Sequence, residues 1–154
     1  MARLSKNEVI KTIDGKDIKV LEFLGAGGQG TVYKVNYEGK KYALKWYKKP
    51  AEDAFYKNLH DNVNRGAPAE TFLWPLAITE KDKDGCFGYV MKIRKKKYQP
   101  LSQYLLNNAK FKNLSAMINA GTQITASFRA LHNQGDSYQD LNDGNFFIDV
   151  NTGD

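Results

Sequence analysis

Three short stretches of this 154-residue chain combine residue types and spacings that could do chemistry. The first is Leu24-Gly25-Ala26-Gly27-Gly28-Gln29-Gly30-Thr31-Val32, a G-x-G-x-x-G-x-V pattern. Without Cβ atoms, such a loop can bring backbone N–H groups against phosphate oxygens. Glycines so spaced could equally make a flexible turn, so the context has to decide. A dinucleotide fingerprint needs a helix after the last glycine, and a Walker A loop needs Gly-Lys-Ser/Thr. Neither follows here; Thr31 to Tyr37 alternates and is rich in β-branched and aromatic residues, which places the loop inside a β-hairpin. The second stretch, Tyr42-Ala43-Leu44-Lys45, sets a lysine on the next strand, where it could neutralise phosphates. The third, Tyr138-Gln139-Asp140-Leu141-Asn142-Asp143-Gly144-Asn145, holds a D-x-x-x-x-N frame in a polar segment. Asp140 could take a hydroxyl proton if it stands within hydrogen-bond reach. The same residues also suit an ordinary turn.

These residues need elements to position them. Ile18–Leu24, Thr31–Tyr37 and Lys41–Tyr47 read as an antiparallel meander, with Glu38-Gly39 as a turn and Pro50 as its end. Ala51–Arg65 reads as a helix with Phe55, Leu59 and Val63 on one face, stopped by Gly66. Phe72–Ile78 and Cys86–Ile93 read as two further strands around the polar turn Glu80–Gly85. The rest is helical. Leu101–Asn107 is short, and Ser115–His132 is long, with Met117, Ile118, Ile124, Phe128 and Leu131 as its apolar stripe. Phe146–Ile148 is a short strand, and Asn151–Asp154 a hairpin turn.

The composition sets bounds. Hydrophobic residues at 42% and charged residues at 26% fit a folded domain rather than a disordered chain. No apolar run is long enough for a membrane span, and the first residues lack the apolar core of a secretory signal. Cys86 is the only cysteine, which excludes an internal disulfide and makes the reducing cytoplasm the default compartment. The two histidines, His60 and His132, are too few for a histidine-rich metal centre. A net charge of +6 suits an anionic partner, whether nucleotide, nucleic acid or acidic protein. The run Lys92–Lys97 has no aromatic stacking platform beside it, so nucleic acid is not the expected ligand.

Taken in order, the glycine loop, the strand lysine, the β-β-β-α-β-β succession and the D-x-x-x-x-N frame make the chain resemble the protein kinase family, Ser/Thr type, from Leu24 to Asp154. The resemblance implies an α+β fold. Residues 1–93 would form an N-lobe with a five-stranded antiparallel sheet and one helix. Residues 94–154 would form the hinge and the first part of a helical C-lobe, including the catalytic loop. It implies Mg²⁺ and ATP as cofactors and a protein hydroxyl as acceptor. Gly25, Gly27, Gly28 and Gly30 would cover the phosphates, and Lys45 would hold the α- and β-phosphates. Leu24, Val32 and Ala43 would roof the adenine and Phe147 would floor it; Met91 would be the gatekeeper before Lys92 and Ile93 in the hinge. Asp140 would receive or orient the hydroxyl proton, and Asn145 would hold Mg²⁺.

The sequence also departs from that pattern. The helix carboxylate that pairs with the lysine falls near Asp61, with Glu52 and Glu70 as alternatives. Gln139, Asn142 and Tyr138 stand where the family commonly has Arg, Lys and His. The chain stops in the hairpin before Asp-Phe-Gly, which implies a truncated, catalytically crippled form of a longer kinase. Two alternatives follow: a pseudokinase or nucleotide-binding scaffold, and a small-molecule kinase of related fold.

Overall fold

Alternation along Gly30–Tyr37 buries Thr31, Tyr33, Val35 and Tyr37 and leaves the residues between them less covered, apart from Gly30. A computed structural model describes residues 4–154. The first three residues of the expected N-lobe, which also open the stretch read as lacking a signal, lie outside the described residues. The described chain forms two compact units. One takes the residues up to Ala67 together with Leu73–Ile93; the other takes Pro68–Phe72 and Arg94–Asp154.

In the first unit, β1 (Val9–Lys11), β2 (Asp17–Ala26), β3 (Gly30–Tyr37), β4 (Lys40–Tyr47), β5 (Ala77–Ile78) and β6 (Gly88–Met91) make one antiparallel sheet, ordered β1-β2-β3-β4-β6-β5. Glu38 and Gly39 both adopt positive φ, 49° and 77°, as the two-residue turn between twisted strands requires. The two ends of the sheet meet. Thr12 bridges Thr79, and Ile13 N–H donates to the Ile78 carbonyl at 3.0 Å. The sheet therefore curls, and its inner face closes on Ile18, Val20, Val35, Leu44 and Val90, each at most 1% exposed. Each such side chain contributes roughly 1.5–3 kcal/mol. Helix α1 (Asp53–Arg65) packs Leu59 and Val63 with Phe87 and Ile78 in a second cluster, and Gly66 at φ 80° ends it with its N–H on the Asn62 carbonyl.

Four expectations change in detail. The sheet gains β1, a strand too short for its pattern to stand out. The strand expected over Phe72–Ile78 is only Ala77–Ile78: Trp74 turns its indole N–H to the Asn62 carbonyl at 2.7 Å, and Pro75 has no N–H to give a ladder. The strand expected over Cys86–Ile93 is Gly88–Met91, because Cys86 N–H is taken by the Asp82 carboxylate at 2.8 Å. The fourth change is in the second unit.

That unit holds β7 (Gln99–Pro100), α2 (Leu101–Leu105), α3 (Leu114–Asn133), a 3₁₀ turn (Asp143–Asn145) and β8 (Phe147–Ile148), with β7 and β8 paired antiparallel. Asn113 caps α3 by accepting the Ala116 N–H at 2.8 Å. The stripe expected at Met117 and Ile118 faces outward, 41% and 59% exposed, whereas Ala116 and Ala120 are buried. The reason is steric. Gly153, at φ 80°, approaches so closely that a Cβ there would lie 2.9 Å from the Ala120 nitrogen. Only small α3 side chains leave room for that turn.

Candidate functional site

The sheet register assembles the first group. Val32 stands opposite Lys45 and Ala43 opposite Met91, so strand alternation puts Val32, Ala43, Lys45 and Met91 on one face of β3, β4 and β6. Leu24 lies at a register shift between Phe23 and Gly25, a bulge that releases it from the ladder; it is 47% exposed. Gly25 pairs with Val32 at the mouth of the β2–β3 hairpin. At the hairpin tip, Gly27 N–H donates to the Gly30 carbonyl at 2.9 Å. Lys92 and Ile93 follow β6, the first exposed and the second half-buried.

The glycines divide into two kinds. A Cβ on Gly30 would lie 2.5 Å from the Trp46 carbonyl oxygen, so β4 itself demands glycine there. A Cβ on Gly25, Gly27 or Gly28 would meet nothing within 4 Å. The protein's own packing does not require those three, and the open space beside them is what an approaching phosphate group needs.

Lys45 Nζ donates to the Gln29 amide oxygen at 3.2 Å and sits 5.3 Å from the centre of the Tyr47 ring. That ring is itself wedged among Phe55, Phe87 and Tyr89. Burial pushes its phenol well above the usual value near 10. Asp61, the expected ion-pair partner, lies exposed on α1. Gln29, Tyr47 and Lys48 are contacts of this group that sequence reasoning passed over. Gln29 was visible only as a variable position in the glycine pattern, and Tyr47 and Lys48 only as neighbours of the lysine.

The second group is built around Asp140. Asn145 Nδ2 donates to the Asp140 carbonyl at 2.8 Å and to its Oδ2 at 3.0 Å. Asn142 Nδ2 donates to the same carbonyl at 3.1 Å and to Oδ1 at 3.0 Å. Asn142 Oδ1 meanwhile caps the 3₁₀ turn through Gly144 N–H at 3.0 Å. An exposed carboxylate is thus held by two amides that leave it open to solvent. Asn142, noted in the sequence only as a missing lysine, is one of the two. Tyr138 packs edge-on to Phe128, and burial, then the nearby Asp140 charge, raise its phenol above the usual value.

Phe147 on β8 is half-buried, and the Arg94 guanidinium lies 4.3 Å from its ring centre. Next to it, the buried Asp149 carboxylate accepts from Asn151 N–H at 3.0 Å and from Lys97 Nζ at 3.0 Å. These partners hold it below the ordinary aspartate range, the Asn151 N–H most of all. Arg94 also donates to the Tyr98 carbonyl, so two cations of the basic run are engaged in internal contacts.

With Nδ2 committed to Asp140, Asn145 can offer a cation only its Oδ1, the hard oxygen donor that Mg²⁺ takes. Among the described residues, no group of three or more His, Cys, Asp and Glu could hold a metal. A cation here would complete its shell with phosphate oxygens and water, as Mg²⁺ ordinarily does. No helix of the described residues is long and apolar enough to cross a membrane.

The family model described as kinetochore Sim4 complex subunit FTA2 matches residues 7–78, just under half of the chain. No curated protein matches the sequence. Solved structures match nearly throughout. A structure of vaccinia related kinase 3 aligns with TM-score 0.72 at 15% identity, covering 97% of this chain and 48% of that one. The Mycobacterium tuberculosis PknI kinase domain aligns with TM-score 0.71 at 18% identity, covering 96% and 58%. At such identities the likeness is one of fold. The chain has the α+β fold of a protein kinase N-lobe and part of its C-lobe, and spans about half the length of the kinase chains it matches.

Proposed function

We propose that this chain is the nucleotide-binding and catalytic-loop part of a protein-kinase-like phosphotransferase, which binds Mg-ATP and transfers the γ-phosphoryl group to a protein serine or threonine hydroxyl. The observation that carries the reading is the register that puts Lys45 opposite Val32, on the strand after an open glycine hairpin. Gly25, Gly27 and Gly28 admit the phosphates, and Lys45 neutralises them. Leu24, Val32, Ala43, Met91, Lys92, Ile93 and Phe147 are the proposed adenine and hinge positions. Asp140 accepts the acceptor hydroxyl's proton as its oxygen bonds to the γ-phosphorus and the bond to the β-phosphate oxygen breaks. Asn145 would hold Mg²⁺, which when bound draws charge off the phosphate oxygens.

Residues 1–93 and 94–154 are the proposed lobes, and the cytoplasm is the proposed compartment. The test is a calorimetric titration of the chain with ATP, with and without Mg²⁺. Saturable binding by the wild type that is lost in Lys45→Ala supports the reading; binding that survives the substitution overturns it.

A second reading, a scaffold that holds nucleotide without transferring phosphate, is favoured by Asn142. It bonds to Asp140 at the position where the family commonly has a phosphate-contacting lysine. The name of the kinetochore subunit model points the same way, toward a part in an assembly. Nucleotide binding with no transfer to any protein acceptor distinguishes this reading.

A further inference from the structure

The tip of the β2–β3 hairpin is held by a residue just past the end of β4. Lys48 N–H donates to the Gln29 carbonyl at 3.2 Å. Lys48 Nζ donates to the Gly27 carbonyl at 2.7 Å, a length typical of a charge-assisted bond. Lys48 is half-buried rather than freely solvated. No described peptide bond is cis, and in a planar trans peptide the C=O and the next N–H point opposite ways. The bond at the Gly27 carbonyl therefore turns the Gly28 N–H away from the ammonium, and the bond at the Gln29 carbonyl does the same for the Gly30 N–H. Lys48 thus sets two of the three peptide planes between Gly27 and Gly30. Among the described residues, none accepts the Gly28 N–H, and a Cβ on Gly28 would meet nothing within 4 Å.

We propose that Lys48 is a positioning residue of the glycine hairpin: by clasping the Gly27 carbonyl it aims the Gly28 N–H as a donor to a nucleotide phosphate. The proposal rests on the hairpin being the phosphate loop of the reading above. Gly27, Gly28 and Gly30 leave the tip little side chain with which to stiffen itself. Glycine has the most conformational freedom to lose, so ordering such a tip during binding costs affinity. A clasp from outside the loop meets that cost beforehand. It works through the direction of a backbone donor, so Lys48 need not touch the nucleotide. Its effect falls on phosphate-bearing ligands alone, because adenosine makes no use of the Gly28 N–H.

The experiment is a titration of wild type, Lys48→Met and Lys48→Arg with ATP and with adenosine, at low and at high salt. Methionine keeps the bulk of the stem without a donor, and arginine keeps a donor. Lys48→Met is expected to bind ATP about three- to tenfold more weakly at both salt concentrations, with Lys48→Arg close to wild type and adenosine affinity the same in all three. Nitrogen-15 relaxation of the Gly28 amide, measured on the protein alone, is expected to show a lower order parameter in Lys48→Met. An unchanged order parameter, or equal ATP affinity in wild type and Lys48→Met, overturns the proposal and leaves the nucleotide reading standing. A loss that disappears at high salt also overturns it, because Lys48 then acts as a screened charge and not as a clasp. A loss shared by adenosine overturns it as general damage to the site. Absence of saturable ATP binding by the wild type overturns the nucleotide reading, and the proposal with it.

Discussion

Asp140 is held by side chains of its own loop. Each carboxylate oxygen accepts one amide N–H, Oδ1 from Asn142 and Oδ2 from Asn145. Removing the carboxylate charge in Asp140→Asn should lower phosphoryl transfer to a protein acceptor about 100-fold or more while leaving ATP affinity unchanged, as transfer assays and titration would show. Asn142→Ala frees Oδ1 and uncaps the 3₁₀ turn, so a fall of about tenfold in transfer is expected, again without loss of ATP binding. If Asn142 were idle, the rate would not move. At this scale, the strand position of Lys45 and the polar-loop position of Asp140 and Asn145 were legible in alternation and in turn residues. The part played by Asn142 was not, because a hydrogen bond between neighbours in a loop leaves no periodicity to read.

The glycine hairpin is one element with two demands on it. Gly30→Ala drives a Cβ into the Trp46 carbonyl, so it should cost about 1–3 kcal/mol in thermal or denaturant unfolding. Gly27→Ala meets no atom within 4 Å, so it should leave stability within about 0.5 kcal/mol yet weaken ATP binding. Equal stability losses in the two variants would contradict the division. The turn after β8 makes a pH prediction. The Asp149 carboxyl lies below its ordinary value of 3.8 when folded, so its stabilising contribution is present above that value. It is lost as pH falls below 3.8 and through the folded value. Asp149→Asn should flatten that acid limb of the unfolding curve. The hairpin strands were readable from their alternation; the short β5 was not, since Trp74 looks like a strand residue until its indole N–H is seen on the Asn62 carbonyl.

In the first unit, the bridge from the end of β1 to the end of β5 curls the sheet around Leu44 and Val90, both fully buried. Leu44→Ala should destabilise by about 2–5 kcal/mol, read as a shift in the denaturant midpoint. The net charge of +6 was visible in the composition, but not which cations are already engaged. Arg94 lies against Phe147 and Lys97 against Asp149, so the basic run is partly a structural device rather than an open patch.

The sequence by itself determined the order of the longer elements, the glycine hairpin with its strand lysine, and the aspartate–asparagine frame. These are written in local spacing, and local spacing survives without knowledge of neighbours. The tertiary structure alone decided which glycines the fold requires, which face of α3 is buried, that the sheet closes, and that Gln29 reaches Lys45. Each of these depends on how closely two segments distant in the chain approach, and a distance of that kind has no counterpart in residue order.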